Sequence, residues 1–286
     1  MKYVDLHVHS NCSDGTYSPS QLVSYALEKN LAAFALTDHD TTAGLDEAIE
    51  AAAKTNLEVI PGIEFSTEYK GKHIHIVGLD IDYHSASFQK QLYNFQYSRE
   101  IRNQKMIAKL QEHQIAISWQ EMEKMFGESI WTRAHFAEYL KQKGYVKSVA
   151  DAFSRFVGDD CPCYVPREKI SPVQAVHLIC ESGGIPILAH PLLYHMSEDE
   201  LGILADTLRE EGLIGIEAIY STYVGYQEDQ MRRFARHHHL CISGGSDFHG
   251  AIKPTIDLGC GRGNLKIPYE LLETMRSRSK EYKTTL

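Results

Sequence analysis

The sequence lacks the features of a membrane or secreted protein. None of its apolar runs reaches the roughly 18–20 residues that a bilayer-spanning helix needs. The opening segment Met1-Lys2-Tyr3-Val4-Asp5 becomes polar too early for a signal peptide. The 6 cysteines are scattered, and the one close pair, Cys161 and Cys163, has no second pair to complete a zinc ribbon. These absences predict reduced thiols and a cytoplasmic protein without a membrane partner.

Basic residues are also fewer than acidic ones. The formal charge is −9 with the histidines neutral, which argues against a protein that coats nucleic acid by bulk electrostatics. Bound divalent cations would change the local balance, because a metal ion is often the largest charge in a site. The composition is therefore compatible with a small phosphorylated ligand or with the end of a polynucleotide.

Short apolar strands alternate with amphipathic helices along much of the chain. Strands are predicted over residues 3–9, 32–37, 57–65, 74–79, 185–189, 214–219 and 240–243. One helix between them begins at Ser18 and Pro19, and another begins with the capping pair Ser197 and Glu200. This alternation predicts a largely parallel α/β barrel, in which functional groups gather at the carboxyl ends of the strands.

The alternation stops between residues 85 and 167, where the pattern is helical. Helices are predicted over 96–112, 119–126, 132–143 and 149–157. We therefore expect a barrel domain formed by residues 1–84 and 168–286, with residues 85–167 inserted as a helical cap over the barrel mouth.

Histidines and carboxylates lie two residues apart at three places where an apolar strand ends. These are Asp5-Leu6-His7-Val8-His9, His73-Ile74-His75 and Asp247-Phe248-His249. Residues i and i+2 of a strand point to the same face, so each pair can hold one ion. Other strand ends carry Thr37-Asp38-His39-Asp40, Gly62-Ile63-Glu64 and Ala189-His190-Pro191. Together these groups predict a multi-metal site in an enzyme, most simply a hydrolase.

The same motifs, in this order, resemble those of the PHP (polymerase and histidinol phosphatase) family. They are Asp5-Leu6-His7-Val8-His9-Ser10, Asp14-Gly15, Thr37-Asp38-His39, Gly62-Ile63-Glu64, His75-Ile76-Val77-Gly78, Leu188-Ala189-His190-Pro191 and Gly245-Ser246-Asp247-Phe248-His249. The resemblance spans residues 3 to 250. It implies a distorted (β/α)7 barrel of PHP fold with an inserted helical cap.

The resemblance also implies two or three divalent metal ions. One ion would bind His7, His9, Glu64 and Asp247, a second would bind Glu64, His75 and His190, and a third would bind Asp14, His39 and His249. Such a mixture of imidazoles and carboxylates suits Mn²⁺, Fe²⁺ or Zn²⁺ without choosing among them. Asp38 and Asp40 are expected to orient His39, and His73 to lie near the site or at the surface.

A cluster of two or three cations about 3.5–4 Å apart can clamp a phosphoryl group and stabilise both the attacking and the leaving oxygen. The expected nucleophile is a metal-bound hydroxide, so no side chain is required to attack phosphorus. The expected reaction is an in-line displacement that releases inorganic phosphate or a nucleotide.

Basic residues in the predicted cap indicate the substrate. Arg99, Arg102 and Asn103 are spaced i, i+3 and i+4, so they share one helix face. Arg133 and His135 lie at the start of another predicted helix, where anions are favoured. Arginine can match phosphate oxygens with paired hydrogen bonds. A solvated charged surface is the alternative interpretation of the same residues.

The cap residues and the segment Tyr164-Val165-Pro166 are similar to one branch of the PHP family. Its members act on nucleoside 5′-monophosphates, on 3′,5′-bisphosphonucleotides, and on the 5′ ends of short RNA or DNA as 5′→3′ exonucleases. By this resemblance, Arg99, Arg102, Asn103, Arg133 and His135 would bind the phosphates and sugar of the substrate.

Three alternatives stay open from the sequence. A histidinol-phosphate phosphatase would share the metals, but it should need acidic groups for an ammonium, and the cap offers no clear case. A metal-dependent amidohydrolase also opens with His-x-His, yet Glu64 stands where that class uses a carboxylated lysine. A non-catalytic PHP module would bind nucleic acid or a protein partner without turnover.

Overall fold

The computed structural model describes residues 2–127, 129–166 and 170–285. In these residues, an eight-stranded mixed sheet curves into a nearly closed barrel with helices around it, which confirms the predicted α/β barrel class. The strands are β1 (Tyr3–Val8), β2 (Ala33–Leu36), β3 (Glu58–Tyr69), β4 (Lys72–Leu79), β5 (Ile185–Leu188), β6 (Gly215–Tyr220), β7 (Cys241–Gly245) and β8 (Ile267–Pro268).

The helices lie outside the strands and in the inserted segment. They are α1 (Pro19–Glu28), α2 (Leu45–Ala52), α3 (Ala86–Glu112), α4 (Trp119–Phe126), α5 (Arg133–Gln142), α6 (Val149–Ala152), α7 (Pro172–Glu181), α8 (Glu198–Glu210), α9 (Gln227–His237) and α10 (Tyr269–Thr285). Among these described helices, none combines the length and apolar character that crossing a membrane requires.

The strand order is β7-β6-β5-β4-β3-β2-β1-β8, and one central strand runs against its neighbours. Strand β4 is antiparallel to both β3 and β5, whereas β1–β2, β2–β3, β5–β6 and β6–β7 pair in parallel. Only Lys70 and Gly71 join β3 to β4, and both have positive φ, as a tight hairpin requires. A crossover to a parallel neighbour needs about a dozen residues or more, so β4 must turn back.

The barrel closes where the end of β1 meets the segment after β7. The Asp247 amide donates a hydrogen bond to the His7 carbonyl at 2.9 Å, and the His9 amide donates one to the Phe248 carbonyl at 3.0 Å. At the other end of β1, the short β8 pairs with Tyr3 and Val4 in the antiparallel direction. The sequence pattern did not predict β8, because two residues are too few to show a strand period.

Three clusters of apolar side chains pack the strands and helices together. The largest packs the helices that flank the barrel against the strands, and includes Leu22, Phe34 and Leu204. A second joins the strands to α10 through Leu272 and Met275. A third lies within the inserted helices, whose last predicted segment is α-helical to Ala152 and then forms a π-helical turn.

Helix α3 links the barrel to the inserted helices. It begins at Ala86, well before the predicted start at residue 96, because Phe88 and Leu92 pack into the barrel-side cluster. Farther along the same helix, Met106 belongs to the separate cluster of the inserted helices. The division into a barrel and a cap domain stays a prediction, and its boundary between residues 167 and 168 lies outside the described residues.

Candidate metal centre

The structure brings all nine predicted metal ligands together at one end of the barrel. They come from the end of β1 and the loop after it, from β3 and β4, and from the segments after β2, β5 and β7. They are His7, His9, Asp14, His39, Glu64, His75, His190, Asp247 and His249. Their binding of metal stays a prediction, but their placement matches it.

The ligands can converge because the backbones of β1 and β7 approach each other closely. Gly245, the last residue of β7, lies directly against His7 of β1. A Cβ atom at Gly245 would lie 2.2 Å from the His7 Cβ, so any larger residue would push the two strands apart. Glycine is therefore required here to bring the ligands of β1 beside those that follow β7.

Four donor atoms form the first group. His7 Nε2 lies 3.0 Å from His9 Nε2, and each of these atoms lies 3.2 Å from Glu64 Oε2. Asp247 Oδ1 lies 3.7 Å from His7 Nε2 and 3.4 Å from His9 Nε2. Donors that each bind one ion at about 2.0–2.2 Å are themselves separated by about 3–3.5 Å. His7, His9 and Glu64 therefore have the spacing of a single coordination sphere, and Asp247 lies beside the two imidazoles.

Glu64 faces a second group with its other oxygen. Glu64 Oε1 lies 2.8 Å from His75 Nδ1 and 3.1 Å from His190 Nε2. His39 Nδ1 lies 3.1 Å from Glu64 Oε2, and this buried nitrogen forms no hydrogen bond within the described residues. A buried polar atom without a partner needs an explanation, and an ion beside it would supply one. Glu64 is thus placed to bridge two ions.

Asp14 organises the third group. Its Oδ1 lies 3.2 Å from His249 Nε2 and 3.8 Å from His9 Nδ1, and its Oδ2 lies 3.8 Å from His39 Nε2. The resemblance assigns His9 and His39 to one ion each. In the structure, both imidazoles lie between neighbouring groups, so either group can reach them.

Glu217 supports the first group and was missed in the sequence. Its Oε1 lies 2.9 Å from His7 Nδ1, and its Oε2 accepts a hydrogen bond from the His190 amide at 2.7 Å. This contact directs His7 Nε2 toward the other donors, as partners of metal-bound histidines commonly do. One signal was available, since Glu217 is a carboxylate in the apolar strand Gly215-Ile216-Glu217-Ala218-Ile219.

The second oxygen of Asp247 is held by two further side chains. The Tyr220 hydroxyl donates to Asp247 Oδ2 at 2.5 Å, and Lys253 Nζ donates to the same oxygen at 2.6 Å. These bonds leave Asp247 Oδ1 directed at His7 and His9.

Asp38 and Asp40 have partners other than His39, which corrects the expected orienting role. Asp38 accepts hydrogen bonds from the Ser10 amide at 2.8 Å and from the Ser13 hydroxyl at 2.5 Å. Asp40 forms an ion pair with Arg99 and accepts from a backbone amide of β3. Asp40 has a φ of +52°, and this turn of the chain directs its side chain toward α3.

The imidazoles of the first group are strongly basic without ions. Burial opposes their charge, but Glu217 and Glu64 raise the pKa of His7 well above its ordinary value. Burial likewise opposes the charge of His9, but hydrogen bonds with Asp247 and Glu64 raise its pKa to about 9. Because only a neutral imidazole coordinates a metal, an ion that binds here must displace these protons.

The carboxylates of the site are ionised despite their burial. Burial opposes the charge of Asp14 and Glu64, but neighbouring imidazoles, including His9 beside Asp14 and His7 beside Glu64, hold the pKa of both well below the usual range. Lys253 has the same effect on the pKa of Asp247. Burial lowers the pKa of His39 to about 3, so its ring is neutral. Ionised carboxylates and neutral imidazole are the forms that divalent transition metals bind.

A cavity of about 320 Å³ opens above the donor groups. Its lining includes Asp14, His39, His75, Arg99, Arg102 and Arg133. His73 and Tyr164 also line it, so His73 lies beside the site. Three of the five predicted substrate-binding residues therefore face the space above the candidate metals.

The three arginines differ in their exposure and in the partners that their guanidinium groups contact. Arg99 is buried and forms an ion pair with Asp40, which neutralises part of its charge. Arg102 is buried and donates to the Trp131 carbonyl at 3.4 Å. Arg133 is more exposed, donates to Asp159 at 2.8 Å, and lies over the Tyr164 ring at 5.3 Å. Arg133 is therefore the arginine best placed to meet an incoming anion.

The other two predicted substrate residues occupy different surroundings. Asn103 lines a neighbouring cavity and donates to the Trp131 carbonyl at 3.1 Å. His135 is buried, accepts from the Thr132 amide at 2.9 Å, and bonds to the Ser13 backbone. Burial lowers the pKa of His135 to about 4. His135 therefore positions the start of α5, and its direct contact with a substrate stays a prediction.

Thr132 connects the inserted helices to the metal ligands. Its hydroxyl caps α5 by accepting from the Ala134 amide, and it donates to Asp14 Oδ2 at 3.1 Å. Nearby, the Ile130 amide donates to the Cys12 carbonyl at 3.1 Å. The segment before α5 is thus bonded to the loop that carries Asp14.

Comparisons with known proteins identify the sequence domain and the fold that this chain shares with them. Residues 5–160 match the sequence model of the PHP domain. The chain is 37% identical over 248 residues to a 5′-3′ exoribonuclease of Haemophilus influenzae, covering 87% of this chain and 90% of that protein. It is 33% identical over 268 residues to a 3′,5′-nucleoside bisphosphate phosphatase of Chromobacterium violaceum, with 91% of each covered. A solved structure of a proposed metal-dependent phosphoesterase from Bifidobacterium adolescentis is 27% identical, with a TM-score of 0.85 over 97% of this chain and 96% of that one.

Proposed function

The chain belongs to the PHP-domain family of metal-dependent phosphoester hydrolases, and from this premise we propose that it removes phosphate from nucleotides or from the 5′ ends of short oligonucleotides. One observation carries the proposal. Nine imidazole and carboxylate groups, Glu64 among them, converge beside a cavity lined by three arginines. This arrangement suits a substrate that is both an ester of phosphate and an anion.

Two or three divalent ions would be held by the three donor groups, with Glu64 shared between the first and the second. When bound, such ions supply Lewis acidity toward phosphoryl oxygens and lower the pKa of coordinated water. The protein's own part is to orient the donors. Glu217 holds His7, while Tyr220 and Lys253 hold Asp247.

The arginines support a nucleotide as the substrate. Arg133, the most exposed of the three arginines that line the cavity, would bind a phosphate through charge-assisted hydrogen bonds, and the buried Arg102 lines the same cavity. A substrate with two phosphate groups would use more than one of these cations. Relatives named as an exoribonuclease and as a nucleoside bisphosphate phosphatase support the same substrate class.

Histidinol phosphate is a poorer match to the cavity. Its ammonium group would need a carboxylate in the lining. Among the described lining residues, Asp14 is the one carboxylate, and it belongs to the third donor group. The lining is otherwise rich in arginine, which repels an ammonium.

The proposal is tested by comparing substrates side by side. Purified protein with Mn²⁺ is given a 3′,5′-bisphosphonucleotide, AMP, a 5′-phosphorylated oligonucleotide and histidinol phosphate, and the products are identified. We expect the nucleotide substrates to be hydrolysed faster than histidinol phosphate. Faster release of phosphate from histidinol phosphate would contradict the nucleotide assignment while leaving the metal centre intact.

A second measurement separates an enzyme from a binding module. His9→Ala removes a donor from the first group, so we expect it to reduce bound metal and phosphate release together. A variant that lost its metal and kept its cellular function would indicate binding without turnover.

A further inference from the structure

A second cavity of about 320 Å³ lies between α3 and α4, and hydrolysis at the metal centre does not explain it. Its lining includes Tyr93, Tyr97, Trp119, Trp131, Glu100 and Glu123. Arg99 lines both this cavity and the one above the donor groups. The two cavities therefore adjoin along α3, and the second differs from the first in being rich in aromatic rings.

Two of the aromatic rings, those of Tyr93 and Tyr97, are exposed and open to stacking, whereas Trp131 is buried. Trp119 and Trp131 pack together with their ring centres 4.4 Å apart. Tyr93 and Tyr97 are 64% and 53% exposed, and their rings are nearly parallel on one face of α3. These two exposed rings lie side by side, and rings of this kind form the platforms on which nucleic acid bases stack.

Two carboxylates line this cavity, together with Arg99, whose charge is paired with Asp40. Within the described residues, Glu123 has an exposed carboxylate that forms no hydrogen bond or ion pair. Glu100 accepts one bond from Gln104, at 3.3 Å. Asn103 Oδ1 accepts none, although Asn103 is buried. Two carboxylates repel a phosphate, but they match the exocyclic amino group of a base.

We propose that the cavity between α3 and α4 is a binding site for a nucleobase that carries an exocyclic amino group. The base stacks on Tyr97 and the neighbouring rings, and its amino group donates to the acceptors that line the cavity. The choice of a nucleotide ligand rests on the proposed function. The base belongs either to the nucleotide being hydrolysed or to the following nucleotide of an oligonucleotide, and the two sources are separated below.

Tryptophan fluorescence reports directly on this cavity. The chain has 2 tryptophans, and both of them line it. Adenosine is titrated into the metal-loaded protein, where it cannot be consumed because it carries no phosphoester. We expect a saturable change in fluorescence, with weaker binding of inosine, which has a carbonyl in place of the amino group.

Variants test whether the aromatic rings and the carboxylate are responsible. Tyr97→Ala should weaken adenosine binding by about 5- to 150-fold, the range found when a stacking ring is removed. Tyr226→Ala is the matched control, because Tyr226 is 72% exposed and precedes α9, in the barrel. Glu123→Gln should reduce the preference for adenosine over inosine. Absence of a saturable change with adenosine, or equal binding by the two tyrosine variants, would overturn the proposal.

Hydrolysis then identifies the source of the base. If the base belongs to the following nucleotide, Tyr97→Ala raises KM for a 5′-phosphorylated dinucleotide more than for a mononucleotide. If it belongs to the hydrolysed nucleotide, KM rises equally for both. An unchanged KM for both substrates would refute a base site that serves catalysis. Failure of the proposed function is distinct, because it would abolish phosphate release from every nucleotide while adenosine still changed the fluorescence.

Discussion

Replacement of Glu217 by glutamine should weaken metal binding although Glu217 is not itself a predicted ligand. Its two oxygens accept from the His190 amide at 2.7 Å and lie 2.9 Å from His7 Nδ1. A glutamine has one oxygen, and the backbone amide cannot become an acceptor. The oxygen therefore stays with His190, and the new NH₂ group faces His7 Nδ1.

The substitution would change the protonation of the other ring nitrogen of His7, Nε2. An NH₂ group at Nδ1 favours the tautomer of His7 that carries its proton on Nε2. That nitrogen lies 3.2 Å from Glu64 Oε2 and 3.0 Å from His9 Nε2, in the middle of the first donor group. Loss of such a supporting partner typically lowers metal affinity by about 10- to 100-fold, or about 1.4–2.8 kcal/mol.

The assay is metal content at a series of buffered free-metal concentrations, followed by phosphate release at saturating metal. We expect Glu217→Gln to need more metal and then to regain most of its activity. Glu211→Gln is the matched control, since Glu211 also binds an imidazole, that of His177 at 2.5 Å, but on the surface. An affinity for metal that is equal in Glu217→Gln and the unaltered protein would refute the tautomer argument.

Three further predictions concern protons, substrate and the cap. Because His9 has a pKa of about 9 without ions, metal binding at neutral pH should release protons. The apparent affinity for metal should therefore rise as the pH approaches 9. Calorimetry in buffers of different ionisation enthalpy will measure the released protons. Arg133→Ala should lower kcat/KM for a bisphosphonucleotide by about 10- to 150-fold, because a charged hydrogen bond contributes about 1.5–3 kcal/mol. Arg155→Ala is the control: it removes an exposed ion pair with Asp151 and should change kcat/KM little. Thr132→Val removes the hydroxyl that caps α5 and bonds to Asp14, so it should lower the unfolding free energy by about 0.5–2 kcal/mol in denaturant titrations and also weaken metal binding. Thr132→Ser keeps the hydroxyl and should do neither.

Much of the barrel and the set of candidate ligands could be predicted because both depend on local pattern. His7 and His9 share a face through the period of a strand, and strand ends collect at one edge of a barrel. The reversed direction of β4 was also encoded locally, in the two residues of its hairpin, although the alternation of elements suggested a parallel strand.

The remaining features depend on contacts between distant segments. Glu217 contacts His7 from β6, across the junction that closes the barrel, and no local pattern links the two residues. The orientation of His135 is similar, because its ring nitrogens are engaged by Thr132 and by the Ser13 backbone, so the ring is not turned toward the cavity. Sequence can indicate that such residues are functional, but their partners follow from the fold.

The seam that closes the barrel is built from the same residues as the first donor group. Backbone bonds join His7 to Asp247 and His9 to Phe248, so β1 and the segment after β7 meet where an ion would be coordinated. An ion held by His9 and Asp247 would be a reversible cross-link across this junction. Metal loading should then slow the parting of the first and last parallel strands, so that the resistance of the fold to proteolysis becomes a readout of metal supply.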